Sequence, residues 1–357
     1  MRKTIILLYI LGISYQALAQ KPLPKPNAAT AAEKFQVVPK PDSGKVDILI
    51  EGKLFTSYIY RHEKLKKPVL YPIISATGQK ITRRFPLEKA AGERFDTPSE
   101  VGLWFAFGNV NGLDFWNNSY RTTEKEAPKM GTIQHAKILK TKNGADACGL
   151  EVSAQWQRPD GSPVLFQNTK YVFREQGNTR MIDIVVTISA LDEKVNLEDD
   201  ANGLLGLRVC RELEMPVNDK VMRTDANGSP GLEPTANKAG ISGNYLSNET
   251  FMGEQVKGQK ARWVKLSGKI KNESVDVILL DHPSNVPHPP YWDVSAGGLF
   301  AINPLGAKVY TNGEKYLGME IPAGNSAIYR YRLIVQAKGG FTPALIEAEF
   351  EKFAKLK

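Results

Sequence analysis

Short runs of alternating apolar and polar residues, separated by turn-forming residues, recur along most of this 357-residue chain. That pattern confines it to a β fold. Val46, Ile48 and Ile50 alternate with polar residues, Gly52-Lys53 makes a tight turn, and 54–60 returns as a second strand. The β-branched run 179–188 follows the turn Gly177-Asn178 and suits a buried strand. Similar runs fall at 69–74, 80–85, 132–140, 149–158, 164–173, 204–210, 262–270, 275–280, 298–302, 307–310 and 328–335. Each period-two run must bury one face, and almost no helical periodicity intervenes. The expected fold is therefore all-β, a large antiparallel β-sandwich. Only the C-terminus changes period. Thr342 is a good N-cap and Pro343 fits the first helical position. Ile346, Phe350 and Phe353 then recur at helical spacing, which predicts one helix within 341–357 packed on the sandwich. Residues 212–260 are rich in Asn, Gly and Pro and read as long loops, the usual place for a binding site on a rigid scaffold.

The N-terminus reads as a secretory signal over residues 1–19. It has Arg2-Lys3, a short apolar run, and an Ala17-Leu18-Ala19 cleavage site. The apolar run is too short to span a bilayer, so an exported, periplasmic or extracellular protein with no membrane span after signal removal is expected. Residues 20–43, rich in Lys, Pro and Ala, read as an extended linker, and 44–340 as the sandwich domain. Cys148 and Cys210 are the only cysteines, open to a single disulfide or to two buried thiols. The net charge of +9 comes from scattered Lys and Arg with acids between them. No basic stripe follows a phosphate backbone, so no nucleic-acid partner is expected. No metal site and no cofactor are expected either: nucleophile-elbow, phosphate-loop and dinucleotide motifs are all missing from the sequence.

Residues 102–118 carry the densest chemical signal. Trp104 and Trp116 stand among Asn109, Asn111, Asp114, Asn117 and Asn118, with glycines between them. Flat aromatic faces beside amides and carboxylates suit a carbohydrate or sugar-derived small molecule.

With Lys67-Pro68-Val69-Leu70-Tyr71-Pro72, Arg262-Trp263-Val264, Asp281-His282-Pro283-Ser284-Asn285, Pro290-Tyr291-Trp292 and 298–306, this stretch resembles the PmoA-like domain family of unknown function. The matches run over about 45–340. That family's label invokes methane oxygenase. Copper chemistry of that kind needs clustered imidazole or thiolate ligands, and the chain has only four His. Where the family carries a His-rich motif, this chain reads Asp96-Thr97-Pro98-Ser99-Glu100, and a further family His is Asp293. The resemblance implies that the imidazoles are lost or replaced by carboxylates.

The resulting expectation is an exported carbohydrate-active protein with an aldose-epimerase-like supersandwich. It would act on a glycoside or sugar derivative by hydrolysis, elimination or epimerisation. Asp96, Glu100, His282 and Asp293 are the acid–base candidates. Arg61, His62, Trp104, Asn109, Asn111, Asp114, Trp116, Arg208 and Trp292 are the candidates for substrate contact, with the indoles as stacking platforms. The alternative is a non-catalytic carbohydrate-binding or scaffold protein. Each residue also has a structural reading: Asp114 as a turn cap, Asp96 as an ion-pair partner of an Arg, and each Trp as core.

Overall fold

The computed structural model describes residues 33–236 and 238–356. The expected signal peptide and residues 20–32 of the expected linker lie outside these. Strands β1 (Phe35–Lys40), β2 (Lys45–Ile50), β3 (Lys53–Ile59), β4 (Val69–Leu70) and β5 (Leu103–Phe105) come first. Next are β6 (Thr132–Lys142), β7 (Ala147–Gln157), β8 (Pro163–Gln176), β9 (Thr179–Ala190), β10 (Val195–Leu197) and β11 (Leu205–Arg208). The remainder are β12 (Asn244–Ser247), β13 (Trp263–Ile270), β14 (Glu273–Asp281), β15 (Tyr291–Val294), β16 (Leu299–Asn303), β17 (Met319–Ile321) and β18 (Ser326–Ala337). Two helices, α1 (Ala307–Tyr310) and α2 (Pro343–Phe353), complete the set.

Sixteen of these strands form two large antiparallel sheets, and β10 pairs with β17 in a small third one. The first runs β1-β2-β3-β4-β5-β11-β16-β15 and the second β12-β13-β14-β18-β9-β8-β7-β6. Side chains alternate across each strand, so Leu205 and Leu207 on β11 face inward while Gly206 and Arg208 face outward. Ring contacts tie the sheets together: Phe55 to Phe173 at 6.0 Å, Phe105 to Tyr329 at 6.2 Å, and Tyr245 to Phe300 at 5.2 Å. Helix α2 lies on the outer face of the second sheet. It buries Ile346, Phe350 and Phe353 against Trp263, Ile278, Leu280 and Ile334, and the Thr342 side chain caps it by accepting from Leu345 N.

Some local expectations differ. Part of the expected linker is strand: β1 pairs with β2 along its whole length, because Phe35 and Val37 alternate inward despite the surrounding Lys and Pro. Residues 307–310, expected as strand, form a single helical turn. Residues 80–85 make only isolated bridges, from Lys80 to Ile74 and Thr82 to Val209. Cys148 and Cys210 are both free and buried, so the disulfide option is closed. Among the described residues no helix is long and apolar enough to cross a membrane.

Candidate functional site

Arg208 ends β11 on the outer face of the first sheet, where its side chain is almost wholly buried. Strand neighbours β5 and β16 fix its backbone, and Arg83 N donates to its carbonyl at 3.0 Å. That contact lays the segment around Arg83 beside it. The Arg83 guanidinium, also buried, donates to the carbonyls of Asp96 (3.0 Å), Thr97 (2.8 Å) and Glu100 (2.8 Å). One buried cation thus folds the 96–100 loop around itself. Thr97 sits at φ 37°, a backbone conformation that a β-branched residue avoids unless its surroundings impose it. Here Arg83 holds the Thr97 carbonyl and Arg208 donates to Thr97 Oγ1 at 2.8 Å.

Arg208 also donates to Asp96 Oδ1 at 3.0 Å and to Glu100 Oε2. A second ionic group backs the first: Glu214 accepts from Arg223 at 2.6 Å and from Arg94 at 3.3 Å. The turn 295–297 between β15 and β16 closes the opposite wall. Gly297 packs closely there: a Cβ would stand 3.2 Å from Arg208 Nη2. Arg94, Asp96, Glu100, Arg208, Asp219 and Glu254 line the resulting hollow of about 380 Å³, together with Thr97, Val217, Val221 and the 295–297 turn. With both cations and acids on its wall, the hollow offers donors and acceptors together, as a ligand rich in hydroxyls needs.

Asp293, on β15, stands just before that turn. Burial pushes its carboxyl above the ordinary carboxylate value; Lys257, 3.2 Å away, pulls it back, and the Glu100 charge pushes it further up. The Lys257 contact is an ion pair, and no hydrogen bond of good geometry reaches Asp293 Oδ1 among the described residues.

Sequence reasoning missed Lys67. Its ammonium is buried, donates to the Trp116 carbonyl at 2.6 Å, and lies 5.8 Å from the Trp104 ring centre. Desolvation pulls its pKa down to about 8, against the opposing charges of Asp114 and Glu100. The signal was a Lys directly before the apolar run Pro68–Tyr71, which could have marked a buried cation. Between pH 8 and the ordinary Lys value of 10.5 the unfolded chain binds more protons than the folded one, so stability rises with pH through that window. From pH 7 to pH 10 the wild type is expected to gain roughly 2 kcal/mol more than Lys67→Met. Urea denaturation at the two pH values checks this, and parallel behaviour of the two chains would contradict the placement. Arg83, Asp219, Glu214 and Glu254 were likewise not anticipated; they are scattered charged residues that only the folding of long loops brings together. Arg94 was expected as an ion-pair partner of Asp96, and it stands 3.9 Å from that carboxylate.

The other expected residues lie elsewhere or serve structure. Trp104, Trp116 and Trp292 are 2%, 1% and 0% exposed, which removes them as stacking platforms. Gly206 shows why: a Cβ there would stand 2.4 Å from the Trp104 ring and 2.7 Å from that of Trp116, so both indoles pack directly against the bare strand, edge to face at 65°. Trp292 faces the core and donates to the Ala261 carbonyl. Asp114 caps a turn, accepting from the Trp116 and Asn117 backbones at 2.8 Å. Asn109 accepts from Gly112 N, and Asn111 from Asn196 N. Arg61 donates to the Pro41 and Asp42 carbonyls, and His62 Nδ1 accepts from Lys64 N. His282 is buried beneath α2, with Nδ1 against Ser284 and its ring edge-on to Phe353. It lies apart from the hollow and is withdrawn as an acid. Asp96, Glu100 and Arg208 come together, and Asp293 lies within the electrostatic reach of Glu100. Among the described residues no group of three or more His, Cys, Asp or Glu is placed to hold a metal ion.

The profile of DUF6807, a family of unknown function, matches residues 45–351. This corrects the resemblance to the PmoA-like domain: the family shown is a different one. No functionally curated protein matches the sequence. Among solved structures, the chain is similar to the Slr1438 protein from Synechocystis sp. PCC 6803, at 12% identity and TM-score 0.30, covering 88% of this chain and 99% of that one. It is also similar to a galactose mutarotase-like protein from Clostridium acetobutylicum, at 11% identity and TM-score 0.34, covering 85% and 98%. A third is the GH36 α-galactosidase AgaA from Geobacillus stearothermophilus, at 11% identity and TM-score 0.37, covering 85% of this chain and only 40% of that one. At such scores the likeness says nothing about this chain's chemistry.

Proposed function

The chain belongs to the family of unknown function DUF6807, and we propose that it is an exported protein that takes a sugar-derived small molecule into the hollow beside Arg208. There it performs acid–base chemistry on the ligand. The observation that carries this reading is the composition of the hollow: Arg94, Asp96, Glu100, Arg208, Asp219 and Glu254 converge from separate segments on about 380 Å³. That volume is in the range of small-molecule sites. The mixture of cations and acids matches hydroxyl groups better than it matches an apolar ligand.

Two carboxylates in contrasting surroundings divide the work of an acid and a base. Glu100 is held by Arg208 and Thr97 Oγ1 and is the candidate base. Asp293, whose carboxyl burial pushes above the ordinary carboxylate value, is the candidate acid. In epimerisation, elimination or hydrolysis, Glu100 would take a proton from the ligand or from water while Asp293 gives one to the departing or developing oxygen. A thermal-shift screen of monosaccharides, sugar acids and glycosides identifies the ligand. With that ligand, Glu100→Gln and Asp293→Asn are each expected to lower kcat by about 10²–10⁴-fold, with Kd changed far less. Unaltered turnover in either variant would remove that residue's role, and no stabilisation by any sugar would remove the reading itself.

The engagement of both Asp96 and Glu100 with Arg208, and of Asp293 with Lys257, favours a second reading. In that reading the same hollow binds the sugar without converting it. It predicts saturable binding with no product. Export rests on the leader-like residues 1–19, and a mature N-terminus at Gln20 in the secreted fraction would support it.

A further inference from the structure

We propose that a cationic groove on the outer face of the second sheet, remote from the hollow, is a docking site for an acidic glycan chain of the polyuronate type. The groove lies over β6, β7 and β8 and has a volume of about 360 Å³. Register aligns its residues in rows: Lys140 with Glu151 and Lys170, Lys142 with Gly149 and Val172, and Ala147 with Arg174. These face outward, whereas Cys148, Leu150 and Phe173 between them are buried in the core. Glu151 stands 3.9 Å from Lys170, and Arg174 is paired with Asp183. Lys140 and Lys142 have no ion-pair partner among the described residues.

Two observations separate this groove from an ordinary basic surface. Lysines on an edge strand guard it against pairing with another sheet, and β6 is an edge strand, so that role accounts for Lys140 and Lys142. It does not account for Lys170 and Arg174, which stand on β8, where both neighbours are already paired; nor do their own ion pairs cancel the charge, since Glu151 faces Lys170 only at 3.9 Å and Asp183 is shared between Arg174 and Arg332. The second observation is Gly149, the third residue of β7, at the groove floor. Glycine weakens a strand and often marks the close approach of a ligand or another backbone. No protein atom approaches here: a Cβ on Gly149 would meet nothing nearer than Tyr171 O at 3.7 Å and Lys142 Cβ at 4.0 Å. What the missing side chain preserves is the depth of the groove.

The spacing selects the ligand. Cations two residues apart on a strand are separated by about 7 Å, and two strands across by about 10 Å. A lone phosphate would reach one of them, whereas a chain bearing a carboxylate on successive rings reaches several. The floor of Ala147, Gly149 and Val172 offers a narrow apolar strip to the CH faces of sugar rings. It holds no aromatic side chain on which a nucleic-acid base would stack.

Affinity electrophoresis of the full chain through gels containing polygalacturonate, with dextran as the neutral control, tests the proposal. The wild type is expected to be retarded by polygalacturonate alone, and less so as salt rises. Lys140→Glu/Lys142→Glu is expected to raise the apparent Kd by about tenfold or more. Gly149→Val is expected to weaken binding while Tm holds or rises, which separates loss of the groove from loss of the fold. Equal retardation of the wild type and the charge-reversed chain would overturn the proposal. So would an unretarded wild type, unchanged binding by Gly149→Val, or tighter binding of duplex DNA or phosphatidylglycerol vesicles than of polygalacturonate.

Discussion

Replacing Arg208 by Met is expected to cost about 3–5 kcal/mol of stability and to abolish binding in the hollow. The guanidinium is buried and pairs with Glu100, itself 5% exposed, and with Asp96. Methionine fills much of the same volume, so the loss is electrostatic. Glu100 keeps its desolvation and loses its counter-charge, and breaking a buried pair by removing one partner is far more costly than replacing both. Arg83 does not compensate, because its guanidinium is spent on the Asp96, Thr97 and Glu100 carbonyls and Asp96 Oδ1. The double variant Arg208→Met/Glu100→Leu is expected to recover part of the loss. Urea denaturation of the four members of this cycle gives the coupling. A single-variant loss below about 1 kcal/mol would place the pair in solvent and contradict the geometry.

Trp292→Ala is expected to be as damaging, at about 3–5 kcal/mol, with Trp292→Phe retaining most of the stability. The indole is fully buried, lies 5.8 Å from the Phe300 ring centre, and donates its N–H to the Ala261 carbonyl at 2.8 Å. Truncation leaves a cavity in the core and an unpaired carbonyl beside it. A Trp serving as a sugar platform would behave in the opposite way, losing affinity at little cost in stability. Denaturant titration and ligand binding on the same variant therefore separate the two roles.

That contrast shows where the sequence was legible. Period-two alternation reported which residues are buried, and it was enough for the two-sheet sandwich. The N-cap at Thr342 and the spacing of Ile346, Phe350 and Phe353 marked α2. Alternation does not say whether an indole covers the outer face of a sheet or points into the core, and Trp104 and Trp292 do one each. It was not visible that both would be sealed: in the first case a glycine on a neighbouring strand, Gly206, leaves room for the ring against the backbone. Asp96 and Glu100 were legible as clustered acids, and Arg208 as an isolated cation ending an apolar strand. Their meeting depends on Arg83 gathering three carbonyls of one loop, a long-range event with no local signature. His282 was misplaced for a related reason. The end of α2 packs over the loop carrying it, and nothing near residue 282 announces a helix some sixty residues later.

The central claim is that the ligand enters the hollow beside Arg208, and a steric block tests it most directly. Val217 lines the hollow and takes part in none of its ion pairs. Isothermal titration of Val217→Trp with the sugar that stabilises the wild type is expected to show binding weakened by about 100-fold or more, at unchanged Tm. Wild-type affinity in that variant would place the ligand elsewhere on the molecule and contradict the account.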